Sequence, residues 1–230
     1  MYIKSVRLSL GFKLAAVIAS GYGLYLNSGL PAGAFRPSML LYFTIQSNVL
    51  CLVSFLMGAW RCGHYLAQGA QGECPPANML WKGATIMAIT TTLLIYWLVL
   101  AKVDFQMEAA INPLNNLTVH LITPVLMLLD WLLFDRKGLL RRRHPLQWAL
   151  VPVLYYAFTL VASALGARYI DEARYPYFFI DPDVVGWGQV ALNVALVAAG
   201  FIGLGYLLLG LDALLRRKNV SGNGVGAAVA

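Results

Sequence analysis

Apolar residues run along this chain in six long blocks, roughly 8–27, 38–60, 79–101, 115–134, 146–167 and 186–211, separated by short polar or basic stretches. Crossing a bilayer takes about 20 mostly apolar residues in a helix, and every block reaches that length. None shows the in–out alternation, in segments of about 10 residues, that marks barrel strands. The pattern predicts an all-α polytopic integral membrane protein with six transmembrane helices. One stretch of the second block breaks the pattern. YFTIQSN, Tyr42 to Asn48, places Thr44, Gln46, Ser47 and Asn48 between almost wholly apolar flanks.

Composition supports the bilayer as solvent. Of the 230 residues, 60% are hydrophobic and 12% charged, less than half the roughly 25% charged share of an average soluble domain. The six blocks form one domain over residues 1–218, and the small, Gly-rich end 219–230 is expected to be disordered. The start, MYIKSVRLSLGFKLAAVIASGYG, has the basic-then-apolar order of a signal peptide. Lys13 interrupts its apolar stretch and no small-x-small cleavage site follows, so it reads as an uncleaved first span.

Charge sets the expected orientation. All but four of the 17 Lys and Arg fall on one face; Arg36, Lys102, Arg168 and Arg174 share the other with Asp104, Glu108, Asp171, Glu172, Asp181 and Asp183. Basic loops stay inside, so both termini are expected to be cytoplasmic. The +7 net charge is then a topology signal and a means of contacting anionic headgroups. The basic run RKGLLRRR lies in a short loop between spans and does not point to nucleic acid. Cys62 and Cys74 fall in a loop on the reducing face, where free thiols are expected. With His64 they offer three zinc ligands, C-x-H…C, where structural zinc takes four; no metal or cofactor is predicted.

Polar groups at membrane depth are costly and tend to mark function. Helical spacing puts Thr44, Ser47 and Asn48 on one face, and Asn116, His120 and Thr123 on one face of the fourth block. Both blocks run from outside to inside. At about 1.5 Å per residue, Thr44 and His120 then share a depth of about 8–9 Å below the outer boundary. A threonine hydroxyl needs a neighbouring base to become a nucleophile, and His is the usual base. Ser47, Asn48 or Asn116 could orient the imidazole or donate to an oxyanion. The bland alternative is that Thr and Ser bond their own helix and that Asn and His tie helices together. Pro124 removes the usual partner of the His120 carbonyl, so a local distortion is expected there.

YFTIQSNVL, followed two spans later by the His of LTVHLITPVLMLLDWLLF, resembles the androgen-induced gene and androgen-dependent TFPI-regulating protein family. ARYPYFFIDPDVVGWG is similar to the bacterial branch of that family. The resemblance implies a membrane threonine hydrolase of fatty acid esters of hydroxy fatty acids or similar lipid esters. Carried onto this chain, its nucleophile is Thr44 and its base is His120. It also implies a bacterial inner membrane as the location, with membrane lipids and an amphiphilic ester as partners.

The outer loop before the last block is rich in aromatics and acids. It predicts an interfacial belt or a lid in which Tyr175, Tyr177, Asp181 and Trp187, with Asn193 of the last block, line a lipid site. Asp130 shares a depth with Lys13 and Lys82 and predicts a structural ion pair. Ala191, Ala195, Ala199 and Gly203 recur every four residues and predict close helix packing. Two other classes compete with the hydrolase: a small-molecule or lipid transporter, disfavoured by the absence of inverted repeats or a polar path across the membrane, and a non-catalytic scaffold pinned by Thr44 and His120.

Overall fold

Six apolar helices carry the chain: α1 (Val6–Asn27), α2 (Phe43–Ala67), α3 (Met79–Leu100), α4 (Pro113–Phe134), α5 (His144–Ala164) and α6, whose apolar span is Pro182–Arg216. The computed structural model describes residues 2–101, 113–169 and 172–222, and all regular structure among them is helical. The protein is an all-α, polytopic integral membrane protein. Six spans return the chain to the side on which it began. Exposed Ile18, Trp60, Leu154 and Leu207 give the outer surface the apolarity that lipid, not water, accommodates. The helix of α6 continues to Gly222; the rest of the predicted disordered tail lies outside the described residues, as do Lys102, Asp104, Glu108 and Asp171.

The second span starts later than hydropathy predicts. Pro37 opens a 3₁₀ turn over Pro37–Leu41, and Tyr42 is extended (φ −84°, ψ 136°) before α2 begins at Phe43. Thr44 therefore sits in the first turn of the helix and not six residues into it. Hydropathy cannot see this boundary, because SMLLYF is as apolar as the helix that follows. The Tyr155 hydroxyl spans the break: it accepts from Phe43 N–H at 3.0 Å and donates to the Leu41 carbonyl at 3.0 Å.

Helices α1 to α4 pack around a core that includes Ala16, Cys51, Phe55, Ile86, Met87, Met127 and Trp131. α5 and α6 lie against one side of this bundle. Near the basic end, Asp130 accepts from Lys13 Nζ at 2.7 Å and Lys82 Nζ at 2.5 Å, and Lys82 also pairs with Asp135. Lys13 reaches this cluster across Gly58, where a Cβ would come within 2.7 Å of its Cε. All four charged groups are buried. In such a setting each charge is tolerable only while its partners remain. Below the cluster, Lys137 Nζ donates to the Trp131 and Asp135 carbonyls at 2.6 and 2.7 Å, satisfying the end of α4. It stays outside the span, and burial holds its ammonium down, at about 8.

Two expectations change. Cys62 and Cys74 are not free thiols but a disulfide with Cα atoms 5.3 Å apart, which also removes both from the C-x-H…C ligand set. The loop after α2 folds back so that positions 12 residues apart meet, a closure that Cys spacing alone does not reveal. The Ala191/Ala195/Ala199/Gly203 stripe is exposed, and the α6 glycine in close contact is Gly205 instead, against Pro145.

Asp130→Ala is expected to destabilise the fold by about 3–5 kcal/mol, since it strands the buried Lys13 ammonium and leaves Lys82 with Asp135 alone; thermal unfolding in detergent measures this, and an unchanged transition rejects the ion cluster as a structural fastening. Denatured, unreduced protein is expected to take up one maleimide, at Cys51, and reduced protein three. Uptake of three without reductant rules out the disulfide.

Candidate active site

Proline chemistry shapes the fourth span. Pro124 has no N–H to give the His120 carbonyl, and α4 widens into a π-helical turn over Thr118–Ile122. Within it, Thr123 N–H reaches back to the Thr118 carbonyl, leaving the Val119 carbonyl without its usual helical partner. Both orphans are met from other helices. Trp97 Nε1–H donates to the His120 carbonyl at 3.2 Å, and Asn48 Nδ2 donates to the Val119 carbonyl at 3.0 Å. α3 is itself π-helical over Tyr96–Leu100, the turn that carries Tyr96 and Trp97 against His120.

The imidazole is held on three sides. Its Nδ1 lies 3.1 Å from the Asn116 carbonyl. A carbonyl only accepts, so Nδ1 carries the hydrogen and Nε2 presents a lone pair. Nε2 faces Thr44 Oγ1 at 3.4 Å, a long hydrogen bond. Tyr96 stacks on the ring, centroids 3.7 Å apart and planes 15° from parallel. His120 is 8% exposed.

Thr44 opens onto a cleft between the bundle and the α5–α6 pair. Its wall includes Phe43, Thr91, Tyr96, Tyr155, Tyr177 and Val194, and it holds about 630 Å³ of atom-free space, part of it open to the outside. The wall is mostly apolar; Thr91 is buried and its hydroxyl has no hydrogen-bond partner among the described residues.

The other predicted site residues divide sharply. Ser47 donates to the Thr44 carbonyl at 2.9 Å and pairs with Thr92 at 2.8 Å. Asn48 gives its amide hydrogens to the Thr44 carbonyl at 2.7 Å and to Val119. Both fasten the site and neither points at the Thr44 hydroxyl. Asn116 acts through its backbone carbonyl, not its side chain. Tyr177 is in the cleft wall and hydrogen-bonds both the backbone and the hydroxyl of Thr44; burial nonetheless pushes its phenol above the ordinary value. Tyr175, Asp181, Trp187 and Asn193 are not among the residues lining the cleft. Tyr175 is buried under Arg174, and Asp181 accepts from Asp183 N–H at the start of α6. Trp187 is exposed, and Asn193 donates to the Phe179 carbonyl at 2.7 Å, holding the loop. Sequence reasoning missed Tyr96, Trp97 and the bridging role of Tyr155. Pro124 foretold an orphaned carbonyl, yet nothing in the chain foretold which residue would meet it.

Comparison with known family models, curated proteins and solved structures finds no match.

Trp97→Phe is expected to cost about 1–3 kcal/mol, the penalty of leaving a buried carbonyl unmet. Trp60→Phe, a change at an exposed position, is expected to stay within about 0.5 kcal/mol. Equal melting temperatures for the two variants in detergent rule out the Trp97 contact as a significant stabilising hydrogen bond.

Proposed function

We propose that this protein is a membrane-embedded hydrolase of lipid esters in which Thr44 is the nucleophile and His120 the general base. The observation that carries the reading is the tautomer. The Asn116 carbonyl ties up Nδ1–H, leaving the Nε2 lone pair 3.4 Å from the Thr44 hydroxyl. An unprotonated nitrogen would equally accept a fastening hydrogen bond; what favours catalysis is that the hydroxyl it faces belongs to the wall of an apolar cleft. No ionised carboxylate is needed as a third member. The backbone dipole fixes ring and tautomer, which is the positioning task of the acid in serine hydrolases.

In the proposed reaction, Thr44 Oγ1 attacks the ester carbonyl carbon while its proton passes to His120 Nε2. The leaving alkoxide then takes that proton, leaving an acyl-threonine. Water attacks the acyl-threonine, giving its proton to Nε2, and the acid leaves as Thr44 recovers its hydrogen. A mostly apolar cleft suits an acyl chain, and Thr44 in its wall, with His120 behind it, suits an ester near the headgroups. The resemblance of FTIQSN and its later His to threonine hydrolases of fatty acid esters of hydroxy fatty acids supports this substrate class. Its bacterial-like ARYPYFFIDPDVVGWG segment supports a place in a bacterial inner membrane.

Purified protein in detergent is expected to be labelled by a fluorophosphonate probe. Thr44→Ala should abolish labelling, and His120→Ala should slow it by about 10²–10⁴-fold. Equal labelling of all three proteins, or none by wild type together with an intact panel of lipid esters, rejects the hydrolase reading.

A further inference from the structure

Attack on an ester creates a negative oxygen that needs donors already in place, and the side chains nearest the pair are mostly committed. Both Asn48 amide hydrogens go to carbonyls, of Thr44 and Val119. The Ser47 hydroxyl is held between the Thr44 carbonyl and Thr92. The single Tyr155 hydrogen is directed to the Leu41 carbonyl. Three groups remain. One is the Thr91 hydroxyl, without a partner among the described residues. The second is the Thr44 N–H, in the first turn of α2, where helix N–H groups have no partner in the helix itself. The third is the Tyr177 phenol, whose oxygen accepts from that N–H and which also hydrogen-bonds the Thr44 and Tyr155 hydroxyls; of the two hydroxyls, it is the one that meets Thr44.

We propose that the Tyr177 hydroxyl and the Thr44 backbone N–H together form the oxyanion site, with Tyr177 as a catalytic donor. The inference rests on the hydrolase reading above. In the tetrahedral adduct the oxyanion is bonded to the carbon that Thr44 Oγ1 has attacked, so it lies in the space facing both Oγ1 and the Thr44 N–H. Tyr177 already occupies the edge of that space. A hydroxyl can swing its hydrogen about the C–O bond without moving the ring, so it can turn from Oγ1 to the new oxyanion as Oγ1 loses its role as acceptor. The start of α2, a 25-residue helix, adds the positive end of its dipole at the same place. The ring is fixed independently of its hydroxyl: it stacks on Phe179 at 5.4 Å and meets Tyr42 edge-on at 6.3 Å. When the adduct collapses, the electron pair returns to the carbonyl and the phenol keeps its proton, so Tyr177 leaves the turnover unchanged.

Hydrolysis of a chromogenic acyl ester in micelles tests this with four proteins: wild type, Thr44→Ala, Tyr177→Phe and Tyr169→Phe. Tyr169 belongs to the same aromatic cluster, packing on Tyr42 at 5.3 Å, and its hydroxyl has no partner among the described residues. Tyr177→Phe is expected to lower kcat by about 10²–10³-fold, as loss of one oxyanion donor does, with KM within about twofold. Tyr169→Phe is expected to stay within about twofold of wild type in both. A Tyr177→Phe enzyme with near wild-type kcat, while Thr44→Ala is inactive, overturns the Tyr177 role and leaves the hydrolase intact. Wild-type activity in Thr44→Ala overturns the nucleophile and this inference with it. If Tyr177→Phe does not fold, 3,5-difluorotyrosine at position 177 decides instead. Its more acidic phenol is expected to bring an alkaline fall in kcat that wild type lacks, and an unchanged pH profile overturns the proposal.

Discussion

Hydrocarbon offers no water to a broken helix, so each backbone group freed inside a membrane must be met by the protein itself. The region around Thr44 depends on meeting that demand. The chain is interrupted before Phe43, widened at Thr118–Ile122 and widened again at Tyr96–Leu100. Each irregularity exposes a carbonyl or an N–H, and side chains from other helices meet several of these groups: Tyr155 at the break, Trp97 at the His120 carbonyl, Asn48 at the Val119 carbonyl. These contacts cross between helices. Repairing the backbone and fixing α2, α3, α4 and α5 in register are therefore one and the same event, and Thr44 and His120 meet as its result.

The buried ion cluster and the Thr44–His120 contact occupy opposite ends of the bundle. The Lys13–Asp130–Lys82–Asp135 cluster lies toward the basic loops, where a charged network holds α1, α3 and α4 together. Around Thr44 and His120 the buried polar side chains Ser47, Asn48, Thr91 and Thr92 are neutral. Neutral groups are cheaper to hold at membrane depth than charged ones.

The spans were legible because apolar length is a strong signal, and their ends agree with the helices to within a few residues at most boundaries. The meeting of Thr44 with His120 was legible too, through helical spacing and a shared depth, although Thr44 proved to begin its helix and not to lie well inside it. Pro124 announced a distortion at His120 through simple stereochemistry. What could not be read was partner choice. Asn48 and Ser47 look like catalytic helpers on a helical wheel, but both bond the Thr44 carbonyl of their own helix, and the Val119 carbonyl that also claims Asn48 is freed only when α4 widens. The Asn116 contribution is a backbone oxygen, invisible to any argument from side chains. The disulfide and the exposed alanine stripe depend on how a loop folds and which way a helix turns, and neither leaves a periodic trace.

The outermost helix has a consequence of its own. Only 11% of the apolar window of α6 is buried, the lowest share of the six spans, yet Val194 and Val197 form part of the cleft wall. One helix thus stands between the cleft and the surrounding acyl chains. A lipid ester would reach Thr44 sideways, moving in the plane of the bilayer without first dissolving in water. Under the proposed function, the quantity that governs occupancy is the surface mole fraction of the ester among its neighbouring lipids, and dilution with inert lipid or detergent would act on this protein as dilution of substrate does on a soluble one.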